Sequence, residues 1–178
     1  MLEALISSKT RIKLLLKFFL NSNATSYLRG LEAEFGESTN SIRLELNRFE
    51  EAGMLTSFNQ GNKKFFQANT KHPLYSEVHN ILLKYIGFDK IIVEVINRLG
   101  HVQKVYVAGD FAKGLDSNII DLIFIGNVNK SYLIQLIEKV EGLIHRKVRY
   151  ITYTPEEANL LKEDGAKLKP LLLWSYED

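Results

Sequence analysis

The N-terminal part of the chain carries apolar residues at the spacing of successive helices. The first predicted helix runs from Lys9 to Leu20, and its apolar side chains recur at intervals of three and four: Ile12, Leu15, Leu16 and Phe19. A second helix is predicted from about Ser26, whose hydroxyl can cap it, to Gly36. Its inward residues are Leu28, Leu31 and Phe35.

A third helix is predicted to begin at Ser38 or Thr39, either of which can cap it, and to stop at Gly53. Its buried side is spaced at four and three residues: Ile42, Leu46 and Phe49. Three helices of this length, with a short turn before the third, predict a helix-turn-helix.

After the third helix the pattern becomes extended. The runs 54–58 and 64–68 contain aromatic residues, and Gly61 and Asn62 between them predict a β-hairpin. A hairpin directly behind the third helix is the arrangement of a wing. Its tip carries two cations that can reach DNA phosphates, Lys63 and Lys64.

Two further helices are predicted between Pro73 and Gly100, interrupted at Gly87. The apolar face of the first consists of Leu74, Val78, Ile81, Leu82 and Tyr85, and that of the second of Ile91, Ile92, Val95, Ile96 and Leu99. We expect these faces to pack onto the following module and to pair with a second copy of the chain.

The remainder alternates strand and helix patterns. We predict strands at 104–108, 119–125 and 148–153, a loop at 109–118, and helices at 130–143 and from 154 onward. The helix from 154 onward opens with a capping box, Thr154-Pro155-Glu156-Glu157, in which Pro155 is the first helical residue. The apolar run Leu171–Trp174 is an edge strand or a docking segment. The predicted fold class is therefore α+β, with a small α/β module at the C-terminal end.

Composition and charge narrow the function only slightly. The 178 residues contain no cysteine, which excludes disulfides, thiolate zinc sites and cysteine catalysis. The apolar stretch 12–20 is interrupted by Lys13 and Lys17 at helical spacing, so it indicates an amphipathic helix and not a signal sequence. We expect a cytoplasmic protein with no membrane partner. Residues 1–72 carry ten Lys or Arg against seven Glu, a net charge of +3. Because the whole chain carries a net charge of +2, the remaining residues carry −1.

The stretch from Ser38 to Leu55 resembles the recognition helix and wing entry of ArsR-like winged-helix regulators. The resemblance covers about the first 72 residues and implies a homodimer that reads a pseudo-palindromic operator in double-stranded DNA. The outward residues of the third helix are then candidates for base contacts: Thr39, Asn40, Arg43, Leu44 and Asn47.

Other interpretations of the first module remain open. Winged helices also serve as protein-interaction modules, and an antitoxin-like partner would bind another protein and no operator. Arg11 and Arg48 are expected to form ion pairs with nearby glutamates and not to contact phosphate. His72 and His79, without cysteine, do not form a metal-sensing cluster.

The stretch from Val107 to Gly114, followed by Asn118 to Ile125, resembles the signature of minimal nucleotidyltransferases. In that family a Gly-Ser after the first strand holds the nucleotide phosphates, and carboxylates on the next strands hold two divalent metals. The matching positions here are Gly109, Asp110, Lys113, Gly114 and Asp121.

This sequence differs from the family pattern at the positions that bind phosphate and metal. Asp110 replaces the serine, Ile119 replaces the first metal carboxylate, and Arg149 most simply occupies the third. We therefore predict a domain without catalysis, cofactor or bound metal, which supports dimerisation or sensing of a nucleotide-like ligand. The alternative is an active nucleotidyltransferase whose winged helix positions its substrate.

A different metal site from Asp110, Asp116 and Asp121 is a further alternative, although such residues more often cap turns. His101 and His145 have no partner near in sequence and are interpreted as surface residues. The expected organisation is a DNA-binding domain at 1–72, connector helices at 73–100, and a nucleotidyltransferase-like domain at 101–178. The predicted function is a DNA-binding transcriptional regulator.

Overall fold

The computed structural model describes residues 2–99, 101–158 and 170–176, and the chain divides into two compact units. The first consists of residues 1–85 with 113–116, and the second of residues 86–112 with 117–178. Each unit combines helices with one small sheet, so the α+β class is confirmed. The expected connector is divided between the units, because the boundary falls inside it, at residue 85.

The first unit contains the helices that the apolar spacing predicts and one more, the short α1 (Leu2–Leu5). The predicted helices are α2 (Lys9–Leu15) continued by a π-helical turn (Leu16–Leu20), α3 (Leu28–Phe35), α4 (Thr39–Glu51) and α5 (Tyr75–Ile86). Ser38 caps α4 by accepting a hydrogen bond from the Ser41 amide. The core of the unit is formed by fully buried apolar side chains, among them Leu14, Leu16, Phe18, Phe19, Leu31, Ile42 and Leu46.

Three short antiparallel strands complete the first unit, in the order β1–β3–β2. They are β1 (Ser26–Tyr27), β2 (Leu55–Gln60) and β3 (Lys63–Ala68). The predicted hairpin is confirmed, with Gly61 at a φ of +57° in its two-residue turn. The prediction that Ser26 caps a helix is wrong. Ser26 is buried and pairs with Phe66, so its backbone belongs to the sheet and α3 begins two residues later.

A buried carboxylate joins α2 to α4. Glu45 is 6% exposed and accepts hydrogen bonds from the guanidinium groups of Arg11, at 2.8 and 3.3 Å, and Arg48, at 3.2 Å. Burial opposes its charge, but hydrogen bonds from Arg11 and Ser8 and the neighbouring positive charges hold its pKa below the ordinary value. The expected ion pairs of Arg11 and Arg48 are thereby confirmed.

We expect Glu45→Gln to lower the free energy of unfolding by about 1–2 kcal/mol at neutral pH, because two guanidinium groups lose their charged acceptor. A carboxylate whose pKa falls on folding contributes stability above its unfolded pKa, and that stability is lost as the pH drops through the folded value. The difference between parent and variant should therefore shrink below the ordinary glutamate pKa of 4.5. Urea unfolding at neutral pH and at a pH below 4.5 measures this difference, with Glu51→Gln, at an exposed position, as the control. An equal loss in the control would contradict this assignment.

The second unit begins with an interrupted helix and continues as a four-stranded sheet. Its helices are α6 (Phe88–Ile91), continued by a π-helical turn (Ile92–Ile96) into α7 (Asn97–Leu99), then α8 (Gly109–Ala112) and α9 (Lys130–Ile144). Its strands are β4 (Val102–Ala108), β5 (Ile119–Gly126), β6 (Lys147–Tyr153) and β7 (Leu171–Ser175). The predicted loop at 109–118 is wrong in its first part, because residues 109–112 form the single helical turn α8.

The sheet of the second unit has the order β6–β5–β4–β7. β5 runs parallel to β6, with α9 as the crossover between them, and antiparallel to β4. On β5 the even-numbered side chains Ile120, Leu122 and Phe124 are buried, and the odd-numbered ones face the other side. Leu171–Ser175 pairs with β4 at the edge, so of the two predictions for this run the edge strand is confirmed.

Two further expectations concern the ends of elements. Thr154 and Glu157 exchange hydrogen bonds with each other's backbone amides, at 2.8 and 3.3 Å, which confirms the capping box. Residues 155–158 are helical, and the rest of the predicted last helix lies outside the described residues. Within the described ranges, no helix has the length and apolarity needed to cross a membrane.

Candidate functional site

The outward face of α4 presents a stripe of exposed side chains. Asn40, Arg43, Leu44 and Asn47 follow the spacing of one helical face, and all four are exposed. Leu44 is 52% exposed, which leaves its methyl groups available for contact. Thr39, the first residue of the helix, is half-buried. The predicted base-contacting residues therefore share one accessible surface.

Beside this stripe, a groove of about 630 Å³ runs between α4, the start of α3 and the β2–β3 hairpin. We call it the basic groove, because its lining contains four cationic side chains and, among the described residues, no carboxylate: Arg29, Arg43, Lys63 and Lys64. Asn47 and Tyr27 also line it. The arrangement is suited to an extended polyanion, whose charges would meet cations on both walls.

The four cations differ in how firmly they are held. Within the described part of the chain, neither Arg29 nor Arg43 forms an ion pair, so both guanidinium groups are free to bind a ligand. The ammonium group of Lys63 lies 4.2 Å from the centre of the Tyr27 ring. Lys64 instead contacts Glu50 at 2.7 Å, and this hydrogen bond lowers the pKa of Glu50. The charge of Lys64 is therefore partly neutralised by Glu50.

The structure brings together four of the seven predicted residues of the first module in the basic groove: Arg43, Asn47, Lys63 and Lys64. Thr39, Asn40 and Leu44 lie outside it, although Asn40 and Leu44 remain on the exposed stripe. Sequence reasoning missed Arg29 and Tyr27. Arg29 is an exposed cation on α3, and only the packing of α3 against α4 places it in the same groove as Arg43.

The second unit contains the other candidate site, at the end of β4 and the start of β5. Gly109 has a φ of +63°, and a Cβ atom there would lie 2.3 Å from a carboxylate oxygen of Asp121. Asp121 accepts two hydrogen bonds from Arg149, at 2.7 and 3.0 Å. Hydrogen bonding and the charge of Asp121 raise the pKa of Arg149. The carboxylate is therefore neutralised by a protein cation.

The register of the sheet places the three motif positions on one face. Asp121 lies directly opposite Arg149, and Ile119 precedes Asp121 by two residues on the same strand, so all three side chains leave the same side of the sheet. Where the resemblance implies three carboxylates, this face carries isoleucine, aspartate and arginine. No group of three possible metal ligands converges in the described ranges, so the alternative site from Asp110, Asp116 and Asp121 is not assembled.

The remaining motif positions are Asp110, Lys113 and Gly114. Lys113 and Gly114 belong to the first unit, where Lys17 donates a hydrogen bond to the Lys113 carbonyl at 2.9 Å. A Cβ atom at Gly114 would lie 2.3 Å from the Lys17 backbone, so this glycine serves close packing in the first unit. Asp110 is exposed on α8. Of the motif positions in the second unit, Gly109 packs against Asp121. The pKa of Arg149 is raised first by its hydrogen bond to Asp121 and, to a smaller extent, by the charge of Asp110.

Comparison with known proteins assigns no family to the chain. No protein-family model matches it, and no curated protein is significantly similar to it. The function proposed for the protein therefore rests on the basic groove and on the ion-paired sheet face.

Proposed function

We propose that the protein is a winged helix-turn-helix transcriptional regulator that binds double-stranded DNA. The observation that carries this proposal is the basic groove, in which unpaired Arg29 and Arg43 share with Lys63 a lining that contains no carboxylate among the described residues. Phosphate contacts from such cations supply most of the affinity of DNA-binding proteins and fix their register.

In this proposal α4 is the recognition helix and the β2–β3 hairpin is the wing. The exposed stripe of α4 enters the major groove, where Arg43 donates to guanine and Asn40 or Asn47 pairs with adenine. Leu44 contacts a thymine methyl group. One phosphate strand passes through the basic groove, between α4 and the wing, where Arg29 and Lys63 neutralise it.

The second part of the proposal is that the regulator acts as a homodimer on a pseudo-palindromic operator. Many apolar side chains of the connector are buried, including Leu82, Ile91 and Val95. A stripe remains on α5 and the residue before it, where Leu74 is 54% and Ile81 47% exposed, with half-buried Val78 between them. Self-complementary pairing of such a stripe satisfies the twofold symmetry that a palindrome requires.

We expect sedimentation of the parent at micromolar concentration to give a mass near twice 20.4 kDa. Ile81→Glu should shift the protein to a monomer, because a carboxylate in the pairing stripe is desolvated without a partner. Leu143→Glu, at a position 52% exposed on α9, is the matched control and should remain dimeric. A parent that stays monomeric, or an Ile81 variant as dimeric as the control, would contradict the proposed pairing.

The C-terminal domain is proposed to be nucleotidyltransferase-like but not catalytic. The ion pair between Asp121 and Arg149 occupies the face where that family binds its metals. A role in dimerisation or in sensing a nucleotide-like ligand is left to such a domain. DNA binding and the absence of cysteine together fit a cytoplasmic protein.

The experiment that tests the proposal is selection of bound sequences from a random duplex DNA pool by the full chain, followed by measurement of the salt dependence of binding. We expect an enriched site with two related half-sites and an affinity that falls steeply with salt. A pool without enrichment, together with tight binding of another protein, would instead support an interaction module.

A further inference from the structure

Three aromatic rings form a continuous row across the outer face of the wing sheet. Tyr27 of β1, Phe65 of β3 and Phe58 of β2 lie directly opposite one another in the strand register. The ring centres of Tyr27 and Phe65 are 5.2 Å apart, and those of Phe65 and Phe58 are 5.7 Å apart with the planes within 15° of parallel. We call this set the aromatic row.

The row is open at one end and adjoins the basic groove at the other. β2 is an edge strand, and Phe58 is 40% exposed there, whereas Tyr27 lines the basic groove. The hairpin's own apolar contacts on the buried side are made by other residues, among them Leu55 and Phe66. Cross-strand pairing accounts for the contact between Phe58 and Phe65, but not for leaving the outer ring exposed at the sheet edge.

The surroundings of the row favour an anionic ligand. β1, β2 and β3 contain no Asp or Glu, and Lys63 holds its ammonium group over the Tyr27 ring. The other strand residues that share this outer face are uncharged and polar: Thr56, Gln60 and Gln67. An apolar protein partner would need a broader hydrophobic surface, because the exposed ring of Phe58 shares this face with amides and a cation. Nucleotides match it, because each offers a base with a flat face for stacking and a phosphate for Lys63.

We propose that the aromatic row is a stacking site for unpaired nucleobases, with Phe58 as its terminal platform. A single strand that leaves the duplex at the basic groove crosses Tyr27 and Lys63 and places a base on the exposed Phe58 ring. This inference rests on the proposed DNA binding and adds a second class of ligand, single-stranded nucleic acid next to a duplex. Stacking on an aromatic platform tolerates any base, so the site contributes affinity and not sequence preference.

The test compares three fluorescent probes with the full chain by anisotropy. They are the selected duplex with blunt ends, the same duplex with an oligothymidylate extension, and oligothymidylate of about 12 nucleotides alone. We expect the extension to tighten binding about 5- to 100-fold, since each stacked base contributes roughly 1–3 kcal/mol by alanine substitution. Phe58→Leu keeps apolar bulk in the hairpin but has no π-face. It should lose that gain while binding the blunt duplex like the parent, whereas Phe58→Tyr should keep the gain.

Tyr132→Leu is the matched control, because Tyr132 is 39% exposed on α9, outside the row. The inference is overturned if the extension gives no gain, if Phe58→Leu retains the gain, or if Phe58→Leu weakens the blunt and extended duplexes alike. Failure of the proposed function looks different. In that case no duplex is enriched, while oligothymidylate binding that depends on Phe58 would still support the stacking site.

Discussion

Replacing Arg43 by alanine is expected to weaken binding of the selected duplex about 5- to 100-fold, which corresponds to roughly 1–3 kcal/mol for a lost bidentate base contact. Arg43 is exposed on α4, lines the basic groove and, within the described residues, has no acidic partner that its removal would disturb. The fold should therefore be preserved. Weak binding of unrelated duplexes should change little, because phosphate contacts supply that part of the affinity.

Two variants separate this effect from a general loss of charge. Arg48→Ala removes the same charge from the same helix, but Arg48 is paired with Glu45, so it should leave the affinity for the selected duplex nearly unchanged. Lys63→Ala should weaken all duplexes alike and reduce the slope of affinity against salt by about one contact. An Arg43 variant that binds the selected duplex as tightly as the parent would show that α4 does not read the bases.

The helices of the first unit were predictable because burial imposes a periodicity that can be read directly from the chain. Ile42, Leu46 and Phe49 are spaced to lie on one side of α4, and all three are buried. The prediction that Ser26 caps a helix is wrong because a contact distant in sequence decides its conformation. A serine before an apolar run satisfies the capping rule, but its pairing with Phe66, forty residues away, decides its conformation. Local pattern gives no information about such a partner.

The residues of the candidate sites were predictable where helix or strand geometry alone places them, and not where tertiary packing does. Outward positions on α4 follow from helix geometry, whereas Arg29 and Tyr27 enter the basic groove only through tertiary packing. In the second unit, alternation along β5 was enough to put Ile119 and Asp121 on one face. The pairing of Asp121 with Arg149 additionally required the parallel register of β5 and β6. That Lys113 and Gly114 belong to the first unit had no local signal at all.

The second unit is expected to show no transfer of nucleotides from triphosphates. Two metals cannot be held by one carboxylate, and Asp121 is already bound by Arg149 at 2.7 Å. Loss of the metals removes the charge stabilisation that dominates phosphoryl transfer, and each 1.4 kcal/mol or so of lost stabilisation is a factor of ten in rate. Incubation with labelled triphosphates and Mg²⁺ or Mn²⁺ measures this. Label transfer that disappears in Asp121→Asn would promote the enzyme hypothesis.

The parallel register of β5 and β6 also allows a test in which a metal site is introduced into this face. In the double variant Ile119→Asp/Arg149→Asp, the two substituted side chains and Asp121 lie on one face of the sheet. That face then carries three carboxylates where the parent has an isoleucine, an aspartate and an arginine. Oxygen ligands of this kind bind Mg²⁺ and Mn²⁺, and we expect calorimetry to detect Mn²⁺ binding in the double variant and none in the parent. Arg149→Asp alone is the control, since it frees Asp121 but leaves Ile119 unable to ligate. If the folded double variant binds no Mn²⁺, the three positions do not form a metal-binding face, and the proposed kinship of this domain with nucleotidyltransferases loses its structural basis.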